Sequence, residues 1–126
     1  MRHIKSKYKE TTTFEERLLK SSKLTSLYPG RIPIIVEMSP SSINYSTYIK
    51  SSPKIKYLVP YSITMGQFIQ IIRDKIQIQP SVALFFFIKN KVFPITSIVG
   101  DIYKDNVDDD GFLYIELCEE STFGSF

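Results

Sequence analysis

Few side chains in this 126-residue sequence can do covalent chemistry. There is one thiol, Cys118, and one imidazole, His3. A lone cysteine permits neither an internal disulfide framework nor a Cys-based zinc site. With His3 near a chain end, a buried Ser-His-Asp or Cys-His unit is not expected. Cys118 closes an apparent strand and reads as a structural thiol. Asn106, Asp108, Asp110 and Gly111 match positions 1, 3, 5 and 6 of a calcium loop. That loop wants Asp at position 1 and a bidentate Glu at position 12, where this chain has Leu117. The cluster therefore reads as an acidic turn entering a strand. No glycine-rich phosphate loop is present, Lys89-Asn90-Lys91 reads as a turn, and Phe85-Phe86-Phe87 reads as core rather than a base-stacking platform. An enzyme is not expected, nor a metal, a cofactor or a nucleic-acid partner.

Two features stand above this background. Gly124 lies near the chain end in Glu119-Glu120-Ser121-Thr122-Phe123-Gly124-Ser125-Phe126, a tail with few groups that could pack and so expected to be mobile. Having no side chain, Gly124 can thread a narrow enzyme channel in any backbone conformation, as a conjugated modifier requires. The second feature is the stretch Lys54–Pro60. Its alternating lysines are the usual protection of a sheet edge, and such an edge can also accept an extended peptide by strand addition.

The elements that must position these features follow from periodicity. Thr13-Phe14-Glu15-Glu16 and Thr64-Met65-Gly66-Gln67 read as capping boxes opening two helices. Phe14, Leu18, Leu24 and Leu27 mark the apolar face of the first, which Tyr28-Pro29-Gly30 ends. Met65, Phe68, Ile69, Ile72 and Ile76 mark the second. Strands are predicted over Ile32–Glu37, Lys54–Pro60, Ala83–Ile88 and Gly111–Cys118, with a long loop at 38–53 and a short helix over Ser97–Lys104. One long helix crossing a four-stranded mixed sheet is a β-grasp arrangement, an α+β fold. Strands apolar on both faces then need a second cover, which the first helix can supply. Pro33, Ile35, Leu58 and Phe112 are expected under it, with Val36, Val59, Leu113 and Ile115 facing the long helix. The expected organisation is a helical extension at 1–29, a β-grasp core at 30–118 and a flexible tail at 119–126.

Composition agrees with a globular domain: 43% of residues are hydrophobic and 23% charged, unlike a disordered chain. The longest charge-free run, Tyr57–Ile72, contains Pro60 and Gly66 and is shorter than the roughly 20 apolar residues of a membrane span. No signal peptide is visible, so a cytosolic protein is expected; a monomer is expected as well. Charge is uneven: residues 1–31 carry eight bases and three acids, whereas residues 100–126 carry one lysine and eight acids. That leaves a basic face for acidic partners, away from an acidic end.

Several blocks, in order, resemble the autophagy ubiquitin-like modifiers, the family of GABARAP and the microtubule-associated protein light chains. They are Tyr8-Lys9-Glu10, Phe14-Glu15, Tyr28 through Glu37, Lys56-Tyr57-Leu58-Val59-Pro60, Gly66-Gln67-Phe68, Ala83 through Phe87, Phe112-Leu113-Tyr114-Ile115 and Glu120 through Gly124. The resemblance spans nearly the whole chain. It implies a ubiquitin-like β-grasp with two added N-terminal helices. It further implies removal of Ser125-Phe126 by a cysteine protease, then activation and conjugating enzymes that join Gly124 to phosphatidylethanolamine. The protein would be cytoplasmic, and on autophagosome membranes once lipidated. A non-conjugated peptide-binding adaptor of the same fold is the alternative.

By position, the resemblance also implies a groove for peptides of receptors and adaptors with an aromatic, two spacers and an aliphatic. Leu24, Pro33, Ile35, Lys56, Leu58 and Phe112 would line the aromatic pocket. Tyr57, Val59, Pro60, Ile63, Phe68 and Ile71 would line the aliphatic one, and the peptide backbone would pair with the Lys56–Leu58 edge. Arg31, Lys54, Lys56, Arg73 and Lys75, with Lys20 on the rim, would meet acidic flanks. Two departures bear on preference: Lys20 stands where relatives often carry an acid, and residues 38–53 include about five more positions than GABARAP.

Overall fold

A computed structural model describes residues 6–39, 55–78 and 80–121. Ser6 caps a five-residue helix, α1 (Lys7–Thr11), its hydroxyl accepting from the Lys9 amide. Residue periodicity alone takes this segment for a basic lead-in; five residues are too few for a hydrophobic repeat to show. Thr13 then caps α2 (Phe14–Leu27), and Thr64 caps α3 (Met65–Ile76). Both predicted capping boxes form in full, with Glu16 and Gln67 bonding back to the cap amides. The remaining elements are β1 (Arg31–Met38), β2 (Lys56–Pro60), β3 (Val82–Ile88), β4 (Lys91–Val92), α4 (Val99–Asn106) and β5 (Leu113–Ser121).

The sheet runs β2-β1-β5-β3-β4. β1 and β5 pair in parallel at its centre, with Ile35 opposite Tyr114, and every other pairing is antiparallel. The expected mixed sheet is thus present with five strands, not four. The fifth is the two-residue β4, reached through Lys89 and Asn90, both at positive φ, as a two-residue hairpin turn with matching twist demands. At the other end of the sheet β2 pairs only with β1 among the described residues, so it is an edge.

Side-chain alternation sorts the residues into two cores. Ile32, Ile34, Val36, Tyr57, Val59, Leu113, Ile115 and Leu117 face α3 and its buried Met65, Phe68, Ile72 and Ile76. On the opposite face Tyr8, Ile35 and Phe112 form a smaller cluster with Leu24 and Tyr114 packed against it. The second cover therefore exists, but it works differently from the amphipathic expectation. Phe14, Leu18 and Leu27 remain exposed, and the buried residues of α2 are Arg17 and Ser21. Nor does the cover reach β3, where Ala83 and Phe85 are exposed and Phe87 is half-buried.

A polar network binds α2 to the turn before β5. Arg17 donates from Nε to the Asp110 carboxylate at 2.8 Å and from a terminal nitrogen to the Thr12 carbonyl at 2.8 Å. Asp110, fully buried, also accepts from the Tyr114 hydroxyl at 2.5 Å and the Phe112 amide at 2.9 Å. Ser21 donates to the Asp110 carbonyl at 2.5 Å. Burial first, then the hydrogen bond and charge of Asp110, push the Tyr114 hydroxyl above the usual tyrosine range, keeping it a donor. The neighbouring Asp108 holds Lys9 at 2.6 Å. Burial would raise its carboxyl, but Lys9 and the Asp110 amide outweigh that and hold it below the ordinary value. The two acids of the apparent calcium loop therefore each engage a cation, and the stretch is the strand-entry turn that its residue pattern suggests.

Gly111 completes this junction at φ +90°, and a Cβ there would lie 2.2 Å from the Ser21 hydroxyl. Gly111→Ala combines a left-handed backbone with that clash, so we expect a loss of about 2–4 kcal/mol in urea unfolding. An unchanged midpoint would contradict the packing described.

β5 continues three residues past the expected end at Cys118. Glu119, Glu120 and Ser121 pair with Leu84, Ala83 and Val82, so the first part of the presumed tail is strand. Cys118 itself is buried within it. Among the described residues no helix is long and apolar enough to cross a membrane.

Candidate functional site

The β2 edge is the expected centre of a groove. Its burial alternates: Tyr57 and Val59 point into the α3 core, while Lys56, Leu58 and Pro60 are half-buried on the other face. Register then fixes the neighbours. Lys56 lies across from Ile35, Leu58 across from Pro33 and Pro60 across from Arg31. An added strand could take up the outward-facing backbone groups of β2, with side chains falling alternately to either face.

The residues assigned to the aromatic pocket come together on the α1–α2 side. Pro33, Ile35 and Phe112 are buried, Leu24 packs against the cluster of Tyr8, Ile35 and Phe112, and Lys56 and Leu58 are half-buried at the margin. Tyr8, which is not among the residues that the resemblance implies for this pocket, forms part of its wall. Its ring meets Phe112 edge-to-face at 5.8 Å, and the Lys56 ammonium lies 5.1 Å from its centroid, a cation–π contact. Glu37 fixes Tyr8 in place by accepting from its amide at 2.9 Å and from Ser6 at 3.1 Å. The block Tyr8-Lys9-Glu10 carried the signal, but only the fold reveals that its aromatic turns inward.

The residues assigned to the aliphatic pocket divide differently. Phe68 (0% exposed), Val59 and Tyr57 belong to the main core, where Phe68 meets Tyr57 edge-to-face at 5.6 Å. Pro60 and Ile63 are half-buried and Ile71 is exposed. The core residues therefore make a floor, and the other three make the accessible surface.

The basic rim is only partly gathered. Arg31 is exposed at the Pro60 end of β2, and Lys20 is exposed on α2. The closeness of the Lys20 ammonium, followed by partial burial, lowers Lys56 from the usual lysine value. Arg73 and Lys75 lie on α3, and Arg73 donates to the Val82 carbonyl at 3.0 Å, which directs it toward β3. Lys54 and Gly124 lie outside the described residues. A separate cleft of about 300 Å³ opens beside α1 among Ser6, Lys9, Glu37, Lys89 and Asp108; it shares no residue with the β2 groove.

A five-stranded mixed sheet crossed by one long helix, with two helices added at the N-terminus, defines a ubiquitin-like protein. Residues 16–124 match the family described as autophagy protein Atg8, ubiquitin like. The chain is 39% identical over 121 residues to autophagy-related protein 8a of Arabidopsis thaliana, covering 96% of this chain and 95% of that protein. It superposes on the crystal structure of Trypanosoma brucei ATG8 with a TM-score of 0.84 at 37% identity, covering 96% of this chain and all of that one. Plasmodium falciparum Atg8, solved in complex with a P. falciparum Atg3 peptide, gives a TM-score of 0.76 at 27% identity over 90% of this chain and 95% of that one. The chain belongs to the Atg8 family of ubiquitin-like autophagy proteins.

Proposed function

We propose that this protein is trimmed after Gly124, joined through that carboxylate to the amine of phosphatidylethanolamine, and used on autophagosome membranes to recruit receptors and adaptors. What supports the conjugation reading is that the family similarity runs through residue 124, where glycine is followed by two further residues. One acyl chain holds a protein to a membrane only marginally, whereas two anchor it stably. A two-chain lipid at Gly124 would therefore move a soluble domain onto a surface without altering its fold. Starvation followed by membrane sedimentation tests this: wild-type protein moves to the pellet in a detergent-sensitive form. A chain that stays in the supernatant overturns the reading.

The recruitment half rests on the β2 edge lying between two apolar sites. The Atg3 peptide bound by the Plasmodium relative supports peptide binding and a conjugating-enzyme partner here. Two shallow anchors flanking one strand pairing lead us to expect roughly micromolar affinity. Ile71 is 37% exposed, so Ile71→Asp puts a charge at the aliphatic site without opening the core. We expect about tenfold weaker binding of an aromatic-x-x-aliphatic peptide by fluorescence polarisation, with the thermal midpoint unchanged. Equal affinity would remove the second site from the groove.

A further inference from the structure

We infer that Lys20 and Lys56 make the mouth of the aromatic site selective for a tyrosine anchor over a tryptophan one, with Lys20 the specificity-determining residue. The inference rests on the groove reading above and asks which aromatic that groove takes.

The placement of both lysines is dictated by the fold. Leu24 packs on the Tyr8–Ile35–Phe112 cluster, and Lys20 lies one helical turn before it on the same side of α2. The rotation of α2 is set by Arg17 on Asp110 and by Ser21 on the Asp110 carbonyl. Lys56 is opposite Ile35 across the β1–β2 ladder, and its ammonium lies over the Tyr8 ring at 5.1 Å. The two ammonium groups consequently converge on one margin of the site, near enough for Lys20 to disfavour the charge on Lys56. Glu16, one turn before Lys20, accepts from the Thr13 amide at 2.7 Å as half of the capping box.

An ammonium offers three donors and no acceptor; a phenol oxygen accepts, whereas an indole nitrogen only donates. A tyrosine seated on Ile35 and Phe112 brings an acceptor to both cations. A tryptophan brings a third donor, which neither ammonium can accept. Phenylalanine, with neither, falls between them.

Three peptides identical except for Tyr, Phe or Trp at the anchor test this by fluorescence polarisation with the full chain. We expect tyrosine to bind about tenfold more tightly than tryptophan, and Lys20→Glu to bring the ratio to one or reverse it, since a carboxylate accepts the indole N–H. Lys20 is exposed, so the variant should keep the wild-type thermal midpoint. Equal binding of the three peptides, or a ratio unmoved by Lys20→Glu, overturns the inference and leaves the groove standing. No binding of any peptide overturns both. Lys20-dependent sedimentation with phosphatidylserine vesicles, without peptide preference, would assign the pair to lipid headgroups and also overturn it.

Discussion

Asp110→Ala should cost this protein about 3–5 kcal/mol of unfolding free energy, the loss that follows when one partner of a buried ion pair is removed. The carboxylate is fully buried and serves Arg17, Tyr114 and the Phe112 amide at once. Alanine leaves a guanidinium with 9% of its side chain exposed, a phenol and an amide without their acceptor. For a domain with total stability of about 5–15 kcal/mol, such a loss lowers the melting temperature by roughly 10–20 °C. The damage should begin at the α1–α2 cover, because Arg17 and Ser21 are the buried residues of α2. Hydrogen exchange in residues 7–27 should therefore accelerate more than in β1 or α3. A double-mutant cycle with Arg17→Leu isolates the pair. A single-mutant loss below about 1 kcal/mol, or protection lost evenly throughout, would contradict the network's role as the fastening of the cover.

Gly124→Ala should reduce conjugation about hundredfold while leaving fold and peptide binding unchanged. The effect would come from the partner enzymes, not from this domain. An added methyl in a channel shaped for glycine displaces the carboxylate, and a misplacement of about 1 Å can cost a hundredfold in rate. Peptide affinity and thermal midpoint serve as controls, since the substitution lies past the end of β5 in the sequence. Normal conjugation of the alanine variant would sink the assignment of Gly124 as the joining residue.

Much of this architecture was legible because local signals were strong. Thr13 with Glu16 and Thr64 with Gln67 announced two helices, and both boxes form. The alternation in Ile32–Val36 and Leu113–Leu117 assigned the face toward α3 correctly. Other features were hidden for physical reasons. The anchoring of α2 runs through an arginine and a serine, polar types that a hydrophobic repeat places on the outside, and their partners lie 93 and 89 positions away. Such pairings leave no local trace. β3 looked equally apolar on both faces, yet only one is covered, because the helical extension ends over β1 and β5. Sequence position placed Leu24, Ile35 and Phe112 in one site, and they pack together. It could not separate the floor, where Phe68 and Val59 are buried, from the accessible margin at Ile71. Nor could it show that Tyr8 and Lys56 meet.

The most direct test of the central claim is the intact mass of the membrane-borne protein recovered from starved cells. The account predicts a chain lacking Ser125-Phe126 and carrying one phosphatidylethanolamine in amide linkage at Gly124, released by an enzyme that cleaves that bond. A membrane-associated chain still ending at Phe126, or one with the lipid attached elsewhere, would contradict it.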